Sequence, residues 1–326
     1  MKLDPWPARA IGRALRLGIF LLLLAGCTDV RPVVKVGILA PFEGLYRRTG
    51  YAALDAARAA IAGAPGDPVA LIPLALDDSA DPRRAAQKLR VDPAVRAIVG
   101  PLAPAQAAIA GIARRDPAIT WIAPYAVDPA GGFADPAVSD AWATGLVAAA
   151  GDAARRQGAQ LLVLAGDDTG WPALAVEEWS TVAGMPVTRL AGSASDITAL
   201  AGDEAIFWLG APDAAADFIN RLRPVYPDMP VWIALGGSDP VLTERANIDR
   251  KLYWLAWSNS HYNGWAAQRT SSTPDAFLVY QATLAAIDAV RGDAATSTVP
   301  WHVELFEYGP DGVSRPFIPG QANALE

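Results

Sequence analysis

A single cysteine, Cys27, stands in the 326 residues, so no disulfide can form within the chain in any redox compartment. Histidine is nearly as scarce: His261 and His302 are the only two, and neither belongs to a cluster with metal-ligand spacing. The chain also lacks a Gly-x-Ser-x-Gly elbow, a Gly-x-x-x-x-Gly-Lys phosphate loop and a Gly-x-Gly-x-x-Gly dinucleotide fingerprint. These absences leave no nucleophile, metal ligand or cofactor cradle to name, and the expectation is a protein without cofactor or metal that is not an enzyme. Basic charge is short as well, with 27 Lys and Arg against 34 Asp and Glu and a net charge of -7. Nucleic acid and anionic lipid surfaces both require a basic patch, so neither is an expected partner.

Long apolar runs are missing too. The unbroken one near the start, Leu17 to Ala25, covers nine residues, whereas a membrane span needs about 20. It follows Lys2, Arg9, Arg13 and Arg16, which makes residues 1–26 an export signal rather than a span. Leu24-Ala25-Gly26-Cys27 looks like a lipobox, in which the Cys27 thiol is acylated and becomes the first mature residue. Residues 27–32 then read as a tether, and the expected location is the outer face of the cell membrane or the periplasm, held by lipid. Setting aside the four basic residues of the signal and Asp4 leaves 23 basic and 33 acidic residues, so membrane attachment falls to the acyl chains. About 300 mature residues exceed what one hydrophobic core usually covers, which predicts two lobes.

From Val33 the pattern alternates apolar strands with amphipathic helices. Val33 to Ala40 is a β-branched run closed by Pro41 and Gly44, and residues 49–63 place Ala53, Ala56, Ala57 and Ala60 at helical spacing. Val69 to Leu76 reads as a strand, and Asp81-Pro82 as a helix start with a capping carboxylate and proline in the first turn. Arg96 to Val99 and a helix from Ala105 repeat the unit, and Ile119 to Ala123, Leu161 to Ala165, Ala205 to Leu209 and Val231 to Leu235 supply further strands. Such alternation predicts an α/β fold with parallel sheets covered by helices on both faces.

The stretches VKVGILAPFEG (Val34 to Gly44), LALDDSADPRRAAQKL (Leu74 to Leu89) and VRAIVGPLAPAQAAIA (Val95 to Ala110) together resemble the leucine-binding proteins of branched-chain amino acid uptake, the type I periplasmic binding proteins. ITWIAPYAVDP (Ile119 to Pro129), LLVLAGDDTGWPALA (Leu161 to Ala175) and the late helix TPDAFLVYQATLAAIDAV extend the likeness over most of the mature chain. The resemblance implies two doubly wound parallel-sheet lobes joined by three crossovers. Lobe 1 is expected over 33–142 plus 252–296, and lobe 2 over 143–251 plus 297–326.

In open parallel sheets a ligand lies beyond the carboxyl ends of the strands. Phe42, Glu43, Pro101, Ala103, Tyr125, Thr169, Trp171 and Ala211 fall just past strand ends. With Tyr46, Pro104, Ala126, Asp168, Ser238 and Asp239 beside them, they are the candidate ligand-binding residues. Here the chain departs from the family. The hydroxyl that the family sets against the ligand carboxylate corresponds to the Ala103-Pro104-Ala105 stretch, the next loop's Thr to Val127, the second-lobe Tyr to Thr169, and the acid that engages the ammonium to Gly236. Asp239 stands near as a substitute.

Two further groups have structural readings that outweigh functional ones. Trp254, Trp257, Tyr262 and Trp265 offer stacking surface for a sugar or aromatic ligand, but rings serve cores more often. Asp77 and Asp78 resemble a catalytic pair, yet adjacent residues at a strand end point to opposite sides and so do not converge. The leading expectation is a monomeric solute-binding lipoprotein that hands a small molecule to an ABC permease. The alternative is a lipoprotein of the same fold that binds a protein partner, for which a cleft plugged by its own side chains would be the sign.

Overall fold

The computed structural model describes residues 32–64, 69–102, 106–113, 118–124, 142–168, 171–190, 196–248, 250–270, 272–293 and 299–318. The export signal, Cys27 and the rest of the tether to residue 31 lie outside these, as do Ala103, Pro104, Tyr125, Ala126, Val127 and Thr169.

Lobe 1 is built on four parallel strands in the order β2-β1-β3-β4: β1 (Val33–Ala40), β2 (Ala70–Asp77), β3 (Val95–Val99) and β4 (Thr120–Ile122). Central β1 turns Val36, Ile38 and Ala40 to one face, under α1 (Arg47–Gly63) and α9 (Pro274–Arg291), where they meet Ala53, Ala57 and Phe277. Leu39 of β1 and Ile98 of β3 point to the other face, toward α2 (Pro82–Val91) and α3 (Gln106–Ala113), and pack with Leu89 and Ile109. That period of two explains why β1 reads as an unbroken apolar run: both of its faces are covered. Pro73 is tolerated in β2 because that strand is an edge.

Lobe 2 holds seven strands in the order β11-β10-β9-β8-β7-β5-β6: β5 (Leu161–Ala165), β6 (Val187–Arg189), β7 (Glu204–Trp208), β8 (Val231–Ile233), β9 (Leu252–Ser258), β10 (His302–Tyr308) and β11 (Ser314–Pro316). Strands β5 to β9 are parallel, but β10 runs antiparallel to β9, and β11 antiparallel to β10. The sheet is therefore parallel only in part. In β10 Val303 and Leu305 pack toward one face and Phe306 and Tyr308 toward the other, while His302 at its start is exposed. Helices α4 (Trp142–Arg156) and α5 (Val176–Ala183) cover one face through Leu146 and Trp179 against Leu162, Leu164 and Phe207. On the other face α6 (Pro212–Leu222) sets Phe218 and Ile219 against Val163, Ile206 and Trp208.

The chain passes between the lobes three times: between β4 and α4, between β9 and α8 (Tyr262–Ala266), and between α9 and β10. Two expected boundaries differ in the structure. Residues 252–258, expected in lobe 1, form β9, which pairs with β8 and β10 in the lobe 2 sheet, and all seven are buried. An apolar strand with both faces covered belongs inside a sheet, and the return to lobe 1 comes after Ser258. Trp142, placed at the end of the first lobe-1 segment, opens α4 and packs in the lobe 2 core.

Proline marks the starts. Pro82, Pro212, Pro240 and Pro274 each occupy the first turn of a helix, and Asp81 accepts from the Arg84 amide at 3.0 Å while Thr273 accepts from the Ala276 amide at 3.2 Å. Among the described residues no helix is long and apolar enough to cross a membrane.

Candidate functional site

The β1 to α1 turn sets the rim of the cleft. Asp77 accepts from the Phe42 amide at 2.7 Å, the Glu43 amide at 3.1 Å and the Ser79 hydroxyl at 2.6 Å. Slight burial opposes ionisation of Asp77, but these donors hold its carboxyl below the usual range. The turn then delivers the first turn of α1 to lobe 2. The Tyr46 hydroxyl donates to Asp213 at the start of α6 and accepts from the Asp213 amide at 3.3 Å. The Thr49 hydroxyl donates to Asp239, and Arg48 pairs with Glu244 of α7 (Pro240–Arg245). From the lobe 2 side, the Ser238 hydroxyl donates to Asp275 of α9 at 2.8 Å. Gly50 lets α1 pack closely on the turn that precedes it, since a Cβ there would lie 2.0 Å from the Pro41 carbonyl oxygen.

Behind this latch lies a cavity of about 450 Å³ lined by both lobes. Pro41, Leu102, Trp171, Leu209, Pro212 and Leu235 make its apolar walls, and Asp78, Asp167, Asp239 and Asp275 are acids on its surface; among the described residues no Lys, Arg or His lines it. Trp171 is fixed by its indole N–H, which donates to the Leu209 carbonyl at 3.1 Å, and by ring contacts with Trp142 and Phe207 at 4.9 and 5.8 Å. Asp78 differs from its neighbour Asp77. It is 5% exposed, its Oδ2 has no hydrogen-bond partner among the described residues, and burial followed by repulsion from Asp77 pushes its carboxyl up to about 7. Burial also raises Asp239, against the hydrogen bonds from Thr49 and the Val241 amide.

Of the expected ligand-binding residues, Tyr46, Trp171, Ala211 and Asp239 line this cavity. Phe42 packs into the lobe 1 core, Glu43 is exposed, and Asp168 pairs with Arg189 outside the lining. Ser238 lines a separate, more open groove with Trp254, Phe306 and Tyr308. Sequence reasoning missed Thr49, Asp213 and Asp275, because acids just after Pro212 and Pro274 look like ordinary first-turn charges favoured by the helix dipole. Gly236 lines the cavity at φ 65°, and a Cβ there would lie 2.7 Å from Pro212 Cγ, so an acidic side chain at this position would be strained. The aromatic residues do not form one ligand platform. Trp254 stacks on Phe306 at 4.0 Å, Trp257 lies in the lobe 2 core, and Trp265 packs on Phe277 in lobe 1. Neither histidine takes part in a metal-binding group among the described residues.

Two lobes, three crossovers and a cleft beyond the strand ends define the type I periplasmic binding protein fold, and comparison with solved structures shows the same fold. The leucine-binding protein LivK from Thermotoga maritima superposes with a TM-score of 0.70 at 16% identity, over 87% of this chain and 98% of that one. The branched-chain amino acid substrate-binding protein LivJ from Streptococcus pneumoniae, solved with isoleucine, gives 0.63 at 15% identity, over 87% and 99%. A possible leucine/isoleucine/valine-binding protein from Rhodopirellula baltica gives 0.63 at 13% identity, over 90% and 98%. No family model and no curated protein matches the sequence.

Proposed function

We propose that this protein is the solute-binding lipoprotein of an ABC-type importer, exported by residues 1–26, anchored through acylated Cys27, and monomeric when it delivers a small molecule to a membrane permease. The observation that carries this reading is the two-lobed cavity of about 450 Å³, which is of ligand size and is rimmed by hydrogen bonds that form only when the lobes are together. A partner-binding scaffold has no use for such a space between its lobes, and side chains would be expected to fill it. The solved proteins of the same fold named above are solute binders, and one holds isoleucine. The test is thermal denaturation against a panel of amino acids, amines, amides, sugars and short peptides. A rise of a few degrees with at least one solute is expected, and a flat response across the panel removes the reading.

A further inference from the structure

Hydrogen-bond accounting inside the cavity points to a ligand class. Each lining side chain with a hydroxyl or indole donor already spends it on the protein: Tyr46 on Asp213, Thr49 on Asp239, Ser79 on Asp77, and Trp171 on the Leu209 carbonyl. Amides beside the cleft also serve acids of the protein or their partners: those of Phe42 and Glu43 point at Asp77, and those of Asp213 and Val241 go to Tyr46 and Asp239. A ligand carboxylate therefore finds no Lys, Arg or His among the described lining residues and would lie among four acids. Among the described residues Oδ2 of Asp78 is a buried acceptor without a partner, on a residue 95% withdrawn from solvent and facing a space with three further acids on its surface. A buried carboxylate oxygen without a donor is costly, and a ligand ammonium both neutralises and hydrogen-bonds it.

Resting on the reading of this cavity as the solute site, we infer that the protein captures a small primary amine with an apolar body and no carboxylate, its ammonium held by Asp78 and its hydrocarbon against Trp171, Leu209 and Leu235. One charge-assisted hydrogen bond then separates an amine from its uncharged analogue by about tenfold to a hundredfold. The matching amino acid loses further by burying an unpaired carboxylate beside acids.

The experiment is isothermal titration of the detergent-solubilised full-length protein with matched pairs, isoamylamine against leucine and phenethylamine against phenylalanine. The amines are expected to bind at least tenfold tighter than the amino acids, and Asp78→Asn to remove that preference while leaving the circular dichroism spectrum unchanged. The wild type supplies a second readout without substitution. Ionisation of Asp78 between pH 6 and 8 should raise amine affinity about tenfold, with Asp167, Asp239, Asp275 and Tyr46 as the other titratable groups on the cavity. Leucine binding as well as isoamylamine would overturn the amine assignment and leave the solute-binding reading intact. An amine preference that survives in Asp78→Asn, or a flat pH profile, would overturn the role of Asp78. Silence from all four compounds would overturn the inference, and only silence across the wider solute panel as well would remove solute binding itself.

Discussion

Replacing Asp78 by Asn should stabilise the protein at pH 8 and not at pH 4. In the folded chain the Asp78 carboxyl is pushed from 3.8 up to about 7, by burial first and by Asp77 second. At about 1.4 kcal/mol for each tenfold in acid strength, that displacement amounts to about 4 kcal/mol. The sign follows from proton counting. Below pH 3.8 the group is protonated in both states and contributes nothing. Between 3.8 and 7 the folded protein holds a proton that the unfolded chain has released, so stability falls as pH rises; above 7 the penalty is constant. Asparagine carries no such penalty, but its amide leaves an unpartnered donor in the same buried place, at a cost of about 1 to 3 kcal/mol. The net gain is then about 1 to 3 kcal/mol at pH 8, turning into a loss of similar size at pH 4. Urea unfolding of both proteins at the two pH values measures the difference. An offset that stays the same at pH 4 and pH 8 would refute an ionisable, solvent-poor Asp78, and with it the argument that this residue awaits a cation.

Three more perturbations probe other links of the account. Cys27→Ser should move the protein from the membrane fraction to the soluble fraction, and retention after a high-salt wash would count against lipid attachment at that residue. Arg223, 5% exposed, donates to the carbonyls of Pro227, Met229, Arg250 and Lys251, so Arg223→Met, which leaves these acceptors unmet, should lower unfolding free energy by about 1 to 3 kcal/mol in denaturant titration. Gly236→Glu adds an acid to the cavity wall, yet the clash with Pro212 and the left-handed backbone predict a loss of thermal stability and no leucine binding by calorimetry.

Much of the fold was legible because its signals are local. Strands β1 and β5 occupy the residues their apolar runs mark, and the Asp81-Pro82 start is capped as read. The antiparallel edge formed by β10 and β11, and the membership of β9 in the second sheet, were not legible, since pairing partners far apart in sequence leave no local mark. The site was legible as a location more than as chemistry. Alternation at a strand end separates Asp77 from Asp78, and the structure sends them to different tasks, one to cap a turn and the other to the cavity. That Tyr46, Thr49 and Ser79 spend their donors on acids depends on which residues the second lobe and the turns bring near, and spacing cannot reveal it.

The most direct test of the central claim, a small-solute site between two lobes, fills the cavity from within. Ala211 lines it where α6 begins, and Ala211→Trp places an indole in that space. A solute at about a hundred times its dissociation constant adds about 2.7 kcal/mol to the wild type, or a few degrees in the thermal midpoint. The account predicts that the shift is present in the wild type and absent from a folded Ala211→Trp protein. An equal shift in both would place the solute elsewhere and contradict the account.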